Sequence, residues 1–188
     1  MKRVLAFSGS NSSSSINQAL VEYTGKLIEN AEVSVIKLTD YPLPLFGKDL
    51  EAEIGSPKEV AQLKELIDAH DGYIISVPEH NSSMSAFFKN HLEWLSRAGR
   101  GLFGDKPVLL LAASPGPGAG RFVLDQANTT LNGNLKGNVI AKLGVGRFND
   151  VVEWNEEGFE IIDDAIKNEL MKAVGIFENE LIKELINQ

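Results

Sequence analysis

The chain has 188 residues and a formal net charge of -8, with 43% hydrophobic and 23% charged residues. That balance fits one globular domain, residues 1–188, with a real core, and it argues against nucleic acid as the main partner, because phosphate contacts need clustered Lys and Arg. The absence of cysteine excludes disulfides, thiol catalysis and cysteine-ligated zinc or iron–sulfur centres.

Met1-Lys2-Arg3 runs directly into a first strand, about Arg3 to Phe7. With no secretory leader and no apolar span of about 20 residues, the expectation is a soluble, cytoplasmic protein. Ser8-Gly9-Ser10-Asn11-Ser12-Ser13-Ser14-Ser15-Ile16-Asn17 follows. It leads into a helix of about Ile16 to Asn30, apolar at Ile16, Ala19, Leu20, Tyr23, Leu27 and Ile28. Strand two spans Glu32 to Leu38. Tyr41 to Gly47 carries two prolines, which lack N–H donors, and reads as an extended connection. Helix two starts at Ser56-Pro57, a cap with proline at the first helical position.

Strand three is Gly72 to Val77, followed by a loop from Pro78 to Ser83 and a helix bearing Phe87, Phe88, His91, Leu92 and Leu95. Strand four, Pro107 to Ala113, is almost continuously apolar, as suits a central parallel strand covered on both faces. The loop Ser114 to Gly120 leads to a helix with Val123, Leu124, Ala127 and Leu131. A fifth strand is expected at Asn138 to Leu143. Gly144 to Glu157 has no clear pattern. A last helix, from Ile162 to Leu185, is apolar at Ile162, Ile166, Leu170, Val174, Phe177, Leu181 and Leu185. Alternating strands and helices predict an α/β, three-layer, doubly wound fold on a five-stranded parallel sheet.

In such folds ligands lie beyond the carboxyl ends of the strands. The loops after strands one, three and four meet there, and they are the chain's richest in Gly, Ser, Asn and Pro. A Ser-rich loop opening a helix suits an anion, because first-turn N–H groups lack internal partners and carry the positive end of the dipole. It equally suits a plain capped turn. Neither G-x-G-x-x-G nor the Lys of a P-loop occurs after strand one, which disfavours an NAD-binding half and a P-loop ATPase. Small residues in the other two loops let a flat ring approach the backbone. A monophosphate in one loop and a planar ring between two others describe flavin mononucleotide. The cofactor-binding candidates are Ser8, Ser10, Ser15, Ile16, Asn17, Pro78, Glu79, His80, Asn81, Ser82, Ser114, Pro115 and Gly116.

The chain resembles the NADPH-dependent FMN reductases of the flavodoxin-like superfamily, the group of azo, quinone and chromate reductases. The resemblance rests on Ser8-Gly9-Ser10 with Ser15-x-Asn17, on Ser114-Pro115-Gly116, and on Pro78-Glu79-His80-Asn81 followed by Phe88-Lys89-Asn90-x-x-x-Trp94. It implies a sheet of order 2-1-3-4-5, FMN as cofactor, NADPH or NADH as donor, and a small acceptor such as a flavin, quinone, azo compound or metal anion. It implies ping-pong kinetics and a homodimer or higher homo-oligomer. By the same resemblance Ser10, Ser15 and Asn17 match positions that hold the FMN phosphate, Pro78 to Asn81 border the ring, and Ser114 and Gly116 lie near its pyrimidine edge. This chain lacks the Arg often found in the family's first loop.

The flavin carries the chemistry in such a reductase, so no side chain is required as catalytic acid or base. His80 could donate a proton to a quinone, or contribute only backbone and stacking. Arg97 and Arg100 could meet NADPH phosphates or end a solvated helix. His70, His80 and His91 lack metal-ligand spacing, and no metal site is expected. Trp154 could edge the substrate cleft or anchor packing. The main rival reading is a flavodoxin-like FMN electron carrier serving protein partners. A second is a doubly wound protein binding another phosphate ester.

Overall fold

In a computed structural model, which describes residues 1–156 and 158–186, with side chains through Lys183, the chain forms an α/β sandwich around a five-stranded parallel sheet. The sheet comprises β1 (Lys2–Ser8), β2 (Ala31–Val35), β3 (Gly72–Ser76), β6 (Pro107–Ala113) and β7 (Asn138–Val145), in the order β2-β1-β3-β6-β7. This is the expected 2-1-3-4-5. The short elements β4 (Glu79–His80) and β5 (Ser83–Met84) pair as a hairpin, as do β8 (Val152–Asn155) and β9 (Gly158–Ile161).

The central strands are apolar on both faces because both are covered. Leu5, Phe7, Tyr73, Ile75, Leu110 and Ala112 face α3 (Lys58–Asp68), α4 (Ala86–Arg97) and α5 (Arg121–Asn132). Val4, Ala6, Ile74, Leu109 and Leu111 face α1 (Ile16–Lys26) and α7 (Asp164–Ile186). Alternation of strand side chains assigns each residue to one layer, and each helix contributes one apolar stripe, such as Val60, Leu63 and Ile67 of α3.

Several boundaries differ from the sequence reading. α1 ends at Lys26, not Asn30, and β2 ends at Val35; Leu38 is buried instead in a 3-10 turn, Leu38–Asp40. An unanticipated α2 (Lys48–Ile54) precedes α3; it has no buried residue, so no apolar period marks it. Pro57 sits at the N-cap of α3, one position before the expected first helical residue. β7 runs on to Val145, and α6 (Phe148–Val151) follows it. α7 begins at Asp164, where the Asp163 carboxylate accepts from the Ile166 N–H; Ile162 lies outside the helix and is exposed. Glu157 and the Leu185 side chain fall outside the described residues. No helix among the described residues is long and apolar enough to cross a membrane.

Candidate flavin-binding site

The loops after β1, β3 and β6 stand together at the carboxyl edge of the sheet and share one hydrogen-bond network. At its centre is Asn17, which is buried on the first turn of α1. Its Nδ2 donates to the Ala113 carbonyl (3.0 Å), and its Oδ1 accepts from the Ala113 N–H (2.9 Å) and the Ser76 hydroxyl (2.8 Å). One side chain thereby joins α1 to the ends of β3 and β6. Gly9 N–H donates to the Ser76 carbonyl (2.9 Å), and the Ser85 hydroxyl donates to the Gly9 carbonyl (2.7 Å) while accepting from Phe88 N–H at the start of α4.

Ser15 caps α1, its Oγ accepting from the Gln18 N–H (3.1 Å), and Ala19 N–H makes the first helical bond back to Ser15 O. The Ile16 and Asn17 N–H groups precede that bond and have no intrahelical acceptor. The Ser15 hydroxyl proton remains able to donate. Ser10 Oγ accepts from Ser12 N–H, which curls the loop back over the helix end. An open cleft of about 800 Å³ lies against this loop, lined by Ser10 to Ile16, Gln18, Ala19, Glu22, Lys37, Thr39, Asn149 and Trp154. Ser8 does not reach it. The Ser8 side chain is fully buried, and its Oγ lacks a partner.

The Pro78–Ser83 loop is a hairpin. Asn81 and Ser82 form its two-residue turn, both with positive φ (51° and 61°), as a tight hairpin turn of this hand requires. Gln126 Oε1 accepts from the Met84 N–H and the Ser83 hydroxyl, pinning the hairpin to α5. Glu79 Oε2 accepts from the Phe122 and Val123 N–H groups, both at 3.0 Å, and so occupies the N-terminus of α5. Pro78 is buried, whereas His80, Asn81 and Ser82 are exposed.

The third loop is tied to the chain after β7. Ser114 N–H donates to Val145 O, Phe148 N–H to Ser114 O and Arg147 N–H to Gly116 O, while the Ser114 hydroxyl closes on Gly116 O. Pro115 and Gly116 are exposed. The close approach depends on Gly144: a Cβ there would lie 2.0 Å from the Ala119 carbonyl oxygen.

The three loops therefore form one unit, but only Ser10, Ser15 and Ile16 of the candidates line the cleft. The Pro78 and Ser114 loops lie outside its lining. Lys37 is the residue the sequence reading missed. It follows β2, whose place beside β1 in the sheet brings it to the cleft, and it is the one cation among the described lining residues. Arg97 does not line the cleft. It pairs with Glu51 of α2 (2.7 Å) at the far end of α4, roughly 18 Å along the helix from Ser85. Arg100 lines a separate depression with Lys136. Asn90 and Trp94 brace a different segment: Asn90 Oδ1 accepts from Phe46 N–H, and Trp94 Nε1 donates to Pro44 O. Trp154 does edge the cleft.

Residues 2–150 match the family described as NADPH-dependent FMN reductase. The chain belongs to that family. It is accordingly an oxidoreductase with FMN as cofactor and NAD(P)H as electron donor. It is 35% identical over 139 residues to an NAD(P)H-dependent FMN reductase of Pseudomonas aeruginosa, a match spanning 71% of this chain and 69% of that one. It is 32% identical over 123 residues to an NADPH:quinone oxidoreductase of Arabidopsis thaliana, spanning 63% of this chain and about three-fifths (61%) of the relative. In fold it resembles the flavoenzyme NAD(P)H:(acceptor) oxidoreductase FerB of Paracoccus denitrificans, with a TM-score of 0.78 at 23% identity over 97% of this chain and 98% of that one.

The residues present fit a phosphate monoester. The helix end at Ile16, a curled run of hydroxyls and Lys37 line the cleft at α1, with the Asn17 N–H next in the same turn, and no buried carboxylate is among the described lining residues. Glu22 is the one acidic lining residue among those described; it lies nearly two turns along α1 and accepts from Gln18 Nε2.

Proposed function

We propose that this FMN reductase passes electrons from NAD(P)H to a small acceptor, foremost a quinone, in ping-pong order, with no protein partner. The observation that carries the reading is the joining of the three loops through Asn17 at the edge where doubly wound folds bind ligands. The quinone assignment is supported by the relatives named as quinone reductases in Arabidopsis thaliana and Escherichia coli.

In this reading the Ile16 and Asn17 N–H groups with the Ser10 and Ser15 hydroxyls hold the phosphate, and Lys37 neutralises it across the cleft. The exposed backbone of His80 to Ser82 and of Pro115 and Gly116 borders the ring. FMN, when bound, supplies the two-electron carrier between donor and acceptor. The protein positions and desolvates the reactants. Glu79, committed to two α5 N–H groups, orients its loop and serves as no base. His80 is exposed beside the hairpin turn; in this reading it borders the ring through backbone and stacking, with proton donation to a reduced acceptor as its alternative role. A homodimer and a cytoplasmic compartment are expected on the family likeness.

The test is direct. Purified protein loaded with FMN and desalted should keep its flavin absorbance, and anaerobic NADPH should bleach it within the dead time of manual mixing. A benzoquinone should restore the colour without any protein partner, and steady-state double-reciprocal plots should be parallel. Retained flavin that NADPH does not bleach would favour the electron-carrier reading.

A further inference from the structure

The cleft beside the serine loop is larger than a phosphate needs. Its roughly 800 Å³ falls in the range of about 300–1,000 Å³ typical of whole small-molecule sites. The FMN reading sends the ring towards the loops after β3 and β6, which do not line this cleft. One wall, outside the serine loop, therefore remains unassigned. It belongs to the β8–β9 hairpin, which lies beyond the matched residues 2–150.

That wall is Trp154. Its side is held by buried rings: Phe148 lies 6.3 Å away and Phe159 5.5 Å, both tilted to it, and Phe159 stacks on Tyr23 of α1 at 4.8 Å. Phe148 and Phe159 are 0% and 4% exposed, yet Trp154 is 53% exposed. A large aromatic that is open on one side and braced on the other loses little side-chain freedom when a flat ring stacks on it. With the serines and Lys37 taken by the FMN phosphate, the rest of the lining still includes polar Thr39 and Asn149, which suit a ribose rather than a purely apolar ligand.

We propose that Trp154 is the platform for the adenine of the pyridine nucleotide, so that the adenylyl half of NAD(P)H lies in this cleft. The proposal rests on the FMN reading, because that reading places the nicotinamide at the ring and leaves the donor's other end to be held elsewhere. It assigns the hairpin a role in donor binding that no side chain of the three loops fills.

The chain has two tryptophans. Trp94 is fully buried, and Trp154 is exposed in the cleft, so a ligand in the cleft reports through Trp154 emission alone. FMN-loaded protein is titrated with adenosine 2′,5′-bisphosphate, with 5′-AMP and with inorganic phosphate, none of which carries a nicotinamide. The expected result is saturable quenching by at least one adenine nucleotide and none by phosphate, with the response absent from Trp154→Phe. Trp154→Ala should raise the KM for NADPH about tenfold, the order expected for one lost base–aromatic stack, with flavin retention unchanged. An emission unresponsive to both nucleotides, or an equal response to phosphate, overturns the proposal. So does a Trp154→Ala KM within twofold of the parent. Flavin kept while Trp154 stays silent refutes this inference alone; flavin lost by the parent protein on desalting refutes the reading beneath it.

Discussion

Replacing Asn17 with alanine should unfold the protein more easily before it affects flavin binding. The side chain is 4% exposed and makes three hydrogen bonds, to Ser76 Oγ, Ala113 N–H and Ala113 O. Ser76 and Ala113 are themselves buried, at 0% and 3%. Truncation strands an amide N–H, a carbonyl and a hydroxyl, each worth about 1–3 kcal/mol when left unpaired. The hydroxyl can rotate towards another acceptor, so the sum is about 3–5 kcal/mol. At roughly 2–4 °C per kcal/mol for a domain of this size, Tm should fall by about 10 °C in protein stripped of flavin. Asn17→Asp keeps both accepted bonds but sets a buried carboxylate against the Ala113 carbonyl, and should do no better. The assay is urea and thermal unfolding of both variants without flavin. If Asn17→Ala kept the parent's stability within about 0.5 kcal/mol and lost only its flavin, the side chain would be a phosphate ligand and the brace would be wrong.

Three further outcomes follow from the same geometry. Gly144→Ala drives a Cβ against Ala119 O at 2.0 Å, and overpacking of about 1–3 kcal/mol should appear in urea unfolding together with weaker flavin retention. Lys37→Ala should weaken FMN binding about fivefold at low salt, and the difference should vanish above about 0.5 M salt, where exposed charges are screened; an unchanged Kd would remove Lys37 from the site. Burial raises the Tyr73 pKa, helped by the Asp68 and Asp71 charges. The unfolded chain ionises this phenol near 10 while the folded one keeps it neutral, so its contribution is complete below pH 10 and is lost as pH rises beyond. Tyr73→Phe should flatten the fall in stability above pH 10 and cost about 1 kcal/mol at neutral pH for the lost bond to the Ile67 carbonyl.

How much the sequence discloses depends on whether a residue's role is local. Pro107 to Ala113 reads as a buried strand because seven successive residues are covered on both faces, and the structure places the strand on those same residues. α2 has no buried residue and so leaves no period to detect. The two-residue strands of the Glu79 hairpin are shorter than any alternation, and only the positive φ of Asn81 and Ser82 reveals the turn. Ser10 and Ser15 reach the cleft, as a hydroxyl-rich helix start suggests. The Asn17 brace needs Ala113, 96 residues away, and Lys37 needs the adjacency of β2 and β1. Both are consequences of strand order, to which local spacing is blind. Arg97 could be read from the sequence as a helix end or as a phosphate contact; it is the last residue of α4 and pairs with Glu51, a partner 46 residues away that local spacing does not show.

The strand order also makes the loops mechanically dependent on one another, and Gly9 tests this. A Cβ at Gly9 would lie 2.5 Å from Phe88 Cγ and 2.7 Å from its Cβ. These are the root of the side chain, not its flexible end, so rotation cannot relieve the clash. α4 would have to move. Its first turn is fastened to Gly9 through Ser85, which donates to Gly9 O and accepts from Phe88 N–H, and the hairpin leads directly into that turn. Gly9→Ala should therefore cost about 1–3 kcal/mol and loosen the hairpin loop as well as the serine loop. Phe88, 1% exposed, costs about 3–5 kcal/mol as Phe88→Ala, because a cavity is left. In the double variant the Cγ contact and the ring are gone while the 2.7 Å contact with the Cβ of residue 88 stays, so the clash is relieved in part and the two costs should fall short of their sum by about 1 kcal/mol, as expected for touching residues. Urea unfolding of the four proteins measures that coupling. Additivity within about 0.5 kcal/mol would show that the first loop and α4 do not bear on each other, and the three loops would have to be treated as separate supports.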